Sequence, residues 1–368
     1  MDTSDPDITF GEDGVCNHCT EHEADIRDKV FSGADGRRRL ESLAEEVRSQ
    51  GKGLRYDCLI GVSGGVDSTY TAWLVRQLGL RPLAVHLDNG WNSDIAVRNI
   101  SNAVGTLGID LHTHVIDWEE YRDIQRAFLL ASVPDVEVPT DHAILACMYR
   151  EAKRFRIPAI VIGTNTRTES HLPAGWSRGH RDWGYIRTVH RTFGTGAVRT
   201  FPHLGLSDFL LPGRNRPRTL EFLNYVDYDK EGAKATIERE LGWQDYGGKH
   251  FESVFTRWYQ GCYLPRKFGF DKRRTHLSSL ISTGQLTRER ALEILREPPY
   301  DPARQDADCE YVAKKLGFGE AEFRAIMSAP PKRFEDYWSF AKRIETPMFK
   351  SIRALGRRVR RLLPKRVP

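Results

Sequence analysis

Between residues 56 and 165, short apolar runs alternate with stretches whose apolar positions recur every three or four residues. The runs YDCLIGV (56–62), RPLAVHLD (81–88), DLHTHVID (110–117) and IPAIVIGTN (157–165) are rich in Val, Ile and Leu and read as strands. Asp67 to Leu78, DIAVRNISNAVGTLG and DHAILACMYREAKRFR read as helices. Strands that are apolar nearly throughout and alternate with helices predict an α/β fold, an open parallel sheet with helices on both faces. An earlier helix over Gly36 to Gln50 sets Leu40, Leu43 and Val47 at helical spacing. Later, GAKATIERELGW (232–243) and the stretch from LTRERALEIL through EAEFRAIM predict a mostly helical C-terminal portion. The chain therefore divides into an N-terminal segment (1–50), a sheet domain (51–200), a mixed, mainly helical portion (201–345) and a basic tail (346–368).

Open sheets of this kind bind ligands beyond the carboxyl ends of their strands. Four ends carry residues with chemical capacity: Ser63-Gly64-Gly65, Asp88-Asn89-Gly90, Asp117 and Gly163-Thr164-Asn165. The first is the most informative. In SGGVDS (63–68) two glycines let backbone amides approach an oxyanion without a Cβ in the way, and the helix that follows offers N–H groups and the positive end of its dipole. Ser63 and Ser68 add hydroxyls, and Asp67 suits either a helix cap or a magnesium ligand. The loop is neither a Walker A loop nor a dinucleotide fingerprint, since both GxxxxGK[ST] and GxGxxG are absent from it.

Charge and composition narrow the reading. The net charge is +5, but Lys350 to Pro368 holds eight Lys or Arg and no acid, which leaves −3 for the rest. No nucleic-acid partner is expected for such a body, and contact with an anionic surface falls to the tail. No apolar run reaches the roughly 20 residues that span a bilayer, and the polar first thirty residues do not read as a secretion signal. A cytoplasmic protein is expected, its six cysteines thiols or metal ligands rather than a disulfide framework.

SGGVDS resembles the SGGxDS pyrophosphate loop (PP-loop) of the N-type ATP pyrophosphatases, a superfamily of adenine nucleotide alpha hydrolase-like fold. It includes NAD, GMP and asparagine synthetases and tRNA-thiolating enzymes. The resemblance implies cleavage of ATP between its α- and β-phosphates, with AMP left on a carbonyl or amide oxygen. It implies ATP contacts from Ser63, Gly64, Gly65, Val66, Asp67 and Ser68, adenosine contacts from Leu87, Asp88 and Asn89, and a later loop, VIGTNTRTES, in which Gly163 and Asn165 stand beside Glu169. Glu169 and Asp67 are the implied Mg2+ ligands.

Three further segments, GVCNHC, VPTDHAILACMYREAKRFRIPAIVIGTNTRTES and GCYLPRKFGFDKRRTHLSSLISTGQLTRERALEILREPPYD, resemble the N-acetyl sugar amidotransferases. That resemblance implies conversion of the acetamido group of a nucleotide-activated N-acetyl sugar to an acetamidino group for surface polysaccharides such as O-antigen. AMP is first placed on the acetamido oxygen and ammonia then displaces it. A separate glutaminase and a cyclase-like subunit are implied as ammonia source, and the chain carries no glutaminase signature of its own. On the acceptor side, Arg266, Lys267, Arg273 and Arg274 lie among aromatics in LPRKFGFDKRRTHLSS and suit a diphosphate, a nucleic acid or plain solvation. Arg181 lies in the loop-like stretch His171 to Arg187, which is placed to close over the acceptor. Asp141, or its neighbour His142, is a candidate base for ammonia delivery. Cys16 and Cys19 form half of a four-thiolate Zn2+ site, with His18, His22, Cys262 or Cys309 as possible completions. The competing reading is a PP-loop tRNA thiolase that carries sulfur on Cys147 or Cys262.

Overall fold

The computed structural model describes residues 1–169, 171–205, 208, 216–248 and 251–344. The expected basic tail lies outside the described residues. After α1 (Asn17–Lys29) and α2 (Gly33–Gln50) the chain enters a repeating unit: β1 (Cys58–Gly61), α3 (Val66–Gln77), β2 (Pro82–Asp88), α4 (Asp94–Leu107) and β3 (Asp110–Val115). Next come α5 (Trp118–Leu130), α6 (Val138–Arg154), β4 (Ala159–Val161), α7 (Trp183–Phe193), β5 (Arg218–Leu220) and α8 (Lys230–Leu241). The five strands pair in parallel in the order β3-β2-β1-β4-β5, with Ile60 opposite Ala84 on one side and Val161 on the other. The order reverses between β1 and β4, so the crevice beyond these two strands is the expected ligand position.

The apolar runs are explained by burial on both faces. Leu59, Val85 and Ile160 turn into a core shared with α5, α6 and α7, whereas Ile60, Ala84 and Val161 turn into a second core under α2, α3, α4 and α8. Each fully buried aliphatic side chain here contributes about 2 kcal/mol by leaving water. β3 is the exception at the outer edge, with Val115 left largely exposed. Helix starts are set by side chains. Ser93 accepts from the Ala96 amide at 3.2 Å, and Asp117, expected as a strand end with ligand capacity, accepts from the Glu120 amide at 3.0 Å as the cap of α5.

The remaining helices are α9 (Val254–Trp258), a π-helical segment (Tyr259–Phe268), α10 (Arg273–Ser282), α11 (Arg288–Arg296), α12 (Pro302–Leu316), α13 (Glu320–Ser328) and α14 (Phe340–Ile344). Phe255, Trp258, Tyr263, Val312 and Leu316 extend the first core rather than forming one of their own. A buried bidentate pair, Arg257 with Asp308 at 2.7 Å for both bonds, locks α9 to α12. α1 was not foreseen from the pattern, and α7 begins inside the stretch expected to be loop-like. β5 and α8 arise after residue 200 yet belong to the sheet and its cover.

Candidate nucleotide cleft

The turn from β1 into α3 is built so that only glycine fits at position 64. Gly64 has φ +79°, and a Cβ there would stand 2.5 Å from the carbonyl oxygen of Ala96. Its own carbonyl is held from behind, accepting from Trp243 Nε1 at 2.9 Å and from Asn99 Nδ2 at 3.4 Å. Within the loop the Ser63 and Ser68 hydroxyls lie 3.1 Å apart, and the Gly65 amide donates to Ser63 Oγ at 3.3 Å. α3 starts at Val66 with no side-chain cap on Gly65, so the helix presents the free-amide end that anions favour. From the neighbouring strand end, Gly163 approaches so closely that a Cβ would stand 3.0 Å from the Ser68 amide nitrogen. The switch point thus brings Ser63, Ser68 and Gly163 together.

These residues open into a cavity of about 1380 Å³. Ser63, Ser68, Leu87, Asn89, Gly163 and Glu169 are among the residues that line it. Asp141 and Glu137 of the α6 start line it too, with Lys272, Arg273, His276 and Tyr300 of the C-terminal portion. Gly64, Gly65, Val66 and Asp67 form the loop behind the lining serines. Asp88 accepts from the Gly90 amide at 2.9 Å and shapes its own turn, while Asn165 accepts from the Thr168 amide at 3.0 Å and does the same in the later loop.

The basic residues divide. Arg273 lines the cavity, but its guanidinium is held by Asp271 at 2.8 Å. Arg266 reaches Gln305, Lys267 the carbonyl of Ile326 and Arg274 the carboxylate of Asp2, and none of the three lines the cavity. Arg181 is exposed and also lies outside the lining. Lys272, next to Arg273 in sequence, also lines the cavity, as do Lys230 and Lys234. The Lys272 ammonium sits 5.2 Å from the ring centre of Tyr259.

Several residues here had no sequence signal of their own. Tyr228 donates to the Asp67 carboxylate, and burial together with Asp67 and Glu169 raises its phenol. Glu252 and Tyr246 lie over the loop, with Glu252 Oε1 3.3 Å from where a Cβ on Gly65 would stand. Glu137 accepts from Thr256 Oγ1 at 2.5 Å. Burial first, then the Asp141 carboxylate, push its carboxyl up to about 8. His142 is committed elsewhere: its Nδ1 bonds to the His180 carbonyl at 2.8 Å and its Nε2 accepts from the Leu204 amide at 3.1 Å, with burial holding the ring down to about 4. Asp141 instead borders the cavity, 3.5 Å from His180.

The donor set suits ATP with Mg2+. A glycine cradle at a helix start suits phosphate oxygens, and Glu169 in the lining, with Asp67 behind it, both close enough to act on Tyr228, would be the carboxylates to hold magnesium beside phosphate and water. Zinc fits poorly. The Cys16 and Cys19 sulfurs lie 3.5 Å apart, but His18 is paired with Asp5 at 2.6 Å and His22 stacks on His171. Among the described residues no group of three or more His, Cys, Asp or Glu is placed to hold a metal ion. Cys262 and Cys309 face each other at 3.1 Å, far along the chain and outside the cavity lining, and so do not complete the expected site. No helix among the described residues is long and apolar enough to cross a membrane.

Parts of the chain are similar to known proteins. Residues 252–351 match the family described as LPS biosynthesis protein WbpG-like, C-terminal domain. A stretch of 98 residues, 26% of this chain and 17% of the relative, is 37% identical to a glutamine-hydrolyzing GMP synthase of Pyrobaculum aerophilum. A stretch of 53 residues, 14% of this chain and 13% of the relative, is 45% identical to the tRNA-specific 2-thiouridylase MnmA of Bordetella petrii. The chain spans less than a fifth of the length of these curated relatives. Among solved structures, NMN synthetase from Francisella tularensis is similar over 78% of this chain and 98% of its own, at 14% identity and a TM-score of 0.37.

Proposed function

We propose that this chain, an enzyme of the PP-loop ATP pyrophosphatase superfamily, is an ATP-dependent amidotransferase that turns the acetamido group of a nucleotide-activated N-acetyl sugar into an acetamidino group. The observation that carries the reading is the shared cleft, lined both by PP-loop serines and by part of the WbpG-like segment. The family's LPS-biosynthesis description supports a surface-polysaccharide setting. A cavity of about 1380 Å³ has room for two ligands, since typical small-molecule sites span about 300 to 1,000 Å³.

An amide oxygen leaves badly, and bonding it to the α-phosphorus of ATP makes it part of a good leaving group. That step is a matter of in-line placement and of stabilising the departing pyrophosphate. The loop amides, Ser63 and Ser68 would hold the outer phosphates, and bound magnesium would neutralise their charge from Asp67 and Glu169. Leu87 and Asn89 border the adenosine end. Lys272 and Arg273 face the acceptor end, with Arg181, Arg266, Lys267 and Arg274 beyond the cleft lining. Ammonia would come from a separate glutaminase through a cyclase-like subunit.

The thiolase alternative needs an accessible thiol near the loop. Cys147 is buried, its thiol pushed up to about 12 by that burial, and neither it nor Cys262 lines the cleft. The test is incubation with ATP, magnesium, ammonium and a panel of nucleotide N-acetyl sugars. AMP, pyrophosphate and a product lighter by the difference between O and NH are expected. ADP in place of AMP, or transfer of sulfur to tRNA, would refute the assignment.

A further inference from the structure

Ammonium is the abundant form of ammonia near neutral pH, and its nitrogen has no lone pair until a proton is removed. An amidine-forming cleft therefore needs a proton acceptor near the adenylated carbon. Glu137 is a carboxyl that lines this cleft. It stands immediately before α6, where its side chain makes no cap hydrogen bond, and has one carboxyl oxygen fixed by Thr256 Oγ1 at 2.5 Å. Thr256 is four residues from Glu252, whose carboxylate lies over Gly65 of the PP-loop. Glu137, Thr256 and Glu252 line the same cavity as Ser63 and Ser68 of the loop. The Lys272 ammonium, 5.2 Å from the ring centre of Tyr259, lines the same cleft.

We propose that Glu137 is the catalytic base that takes a proton from ammonium in the cleft, an assignment that rests on the amidotransferase reading above. The carboxylate accepts one of the four protons and frees the nitrogen lone pair. The nitrogen bonds to the imidate carbon, the bond from that carbon to the AMP oxygen breaks, and its electron pair leaves on AMP. Of the three protons that arrive with nitrogen, one passes to the sugar nitrogen, giving an amidinium, and Glu137 returns its proton to water.

The surroundings tune the base. Asp135 and Asp141 flank it on its own segment, Lys272 faces it from the segment before α10, His180 pairs with Asp135, and the phenols of Tyr121 and Tyr259 lie against it. A carboxyl pushed up to about 8 is better matched to ammonium than an ordinary one would be.

Two half-reactions separate this inference from the reading beneath it. Exchange of labelled pyrophosphate into ATP, dependent on the sugar, reports adenylation alone, and amidine formation reports the whole. In Glu137→Gln, exchange should stay within about twofold of wild type while amidine formation from ammonium at pH 7.5 falls about 100-fold or more. Hydroxylamine, a neutral nucleophile at that pH, should restore product to the variant as an N-hydroxyamidine. Undiminished amidine formation from ammonium in Glu137→Gln overturns the base assignment, as does loss of exchange together with amidine or failure of hydroxylamine to rescue. Absence of sugar-dependent exchange in the wild type overturns the amidotransferase reading itself.

Discussion

At Gly64 conformation and contact give the same requirement. A side chain there must adopt a left-handed backbone, which costs about 1–2 kcal/mol, and must also push against the Ala96 carbonyl. Gly64→Ala should lower stability by about 2 kcal/mol and abolish AMP release, read by thermal melting and by nucleotide chromatography; an active variant would mean the loop does not hold the phosphates. Ser63, Gly64 and Ser68 could be read from sequence because a short motif dictates a local turn and its chemistry together. Trp243, Tyr228 and Glu137 could not. Each is an ordinary residue far along the chain, made relevant only by tertiary contact with the loop or the cleft.

Among the elements, the loop before α7 is clipped to the start of α6 by His180 Nε2 on Asp135 Oδ2 at 3.0 Å, with Ser177 Oγ donating to the same carboxylate. Burial alone would lower His180, but the hydrogen bond and charge of Asp135 outweigh it and push the ring up to about 9. Burial alone would raise Asp135, yet His180 holds it well below the usual carboxylate range. A raised histidine stabilises fully below its unfolded value of about 6.5 and loses that contribution as pH climbs through 9; a depressed aspartate stabilises above about 3.9 and loses it below. The clip should therefore be strongest from about pH 4 to 6.5. His180→Ala should cost about 3 kcal/mol in that window and much less above pH 9, as measured by urea unfolding; a pH-independent loss would disprove the pairing. The same scale shows what periodicity reveals. α5 has its signal in full, with Trp118, Tyr121, Ile124 and Phe128 at helical spacing behind an Asp117 cap, and reading Asp117 as a strand end hides it. α1 has almost none, since it buries only His22.

For the molecule as a whole, the parallel sheet is legible because double-sided burial leaves a plain apolar imprint on its central strands β1, β2 and β4, whereas the exposed edges β3 and β5 carry little of it. The C-terminal part of the cleft lining is not, because its charged residues follow no period: of the basic cluster at 266–274, Lys272 and Arg273 line the cavity while Arg266, Lys267 and Arg274 bind other parts of the protein. The grip of Trp243 and Asn99 on the Gly64 carbonyl also bears on turnover. A peptide pinned from behind cannot flip, so the hollow is rigid before any ligand arrives and would hold spent pyrophosphate about as firmly as the intact triphosphate tail. Catalysis would then stall on its own by-product, and inorganic pyrophosphatase added to the assay should raise the steady rate; an unchanged rate would mean that the by-product escapes freely.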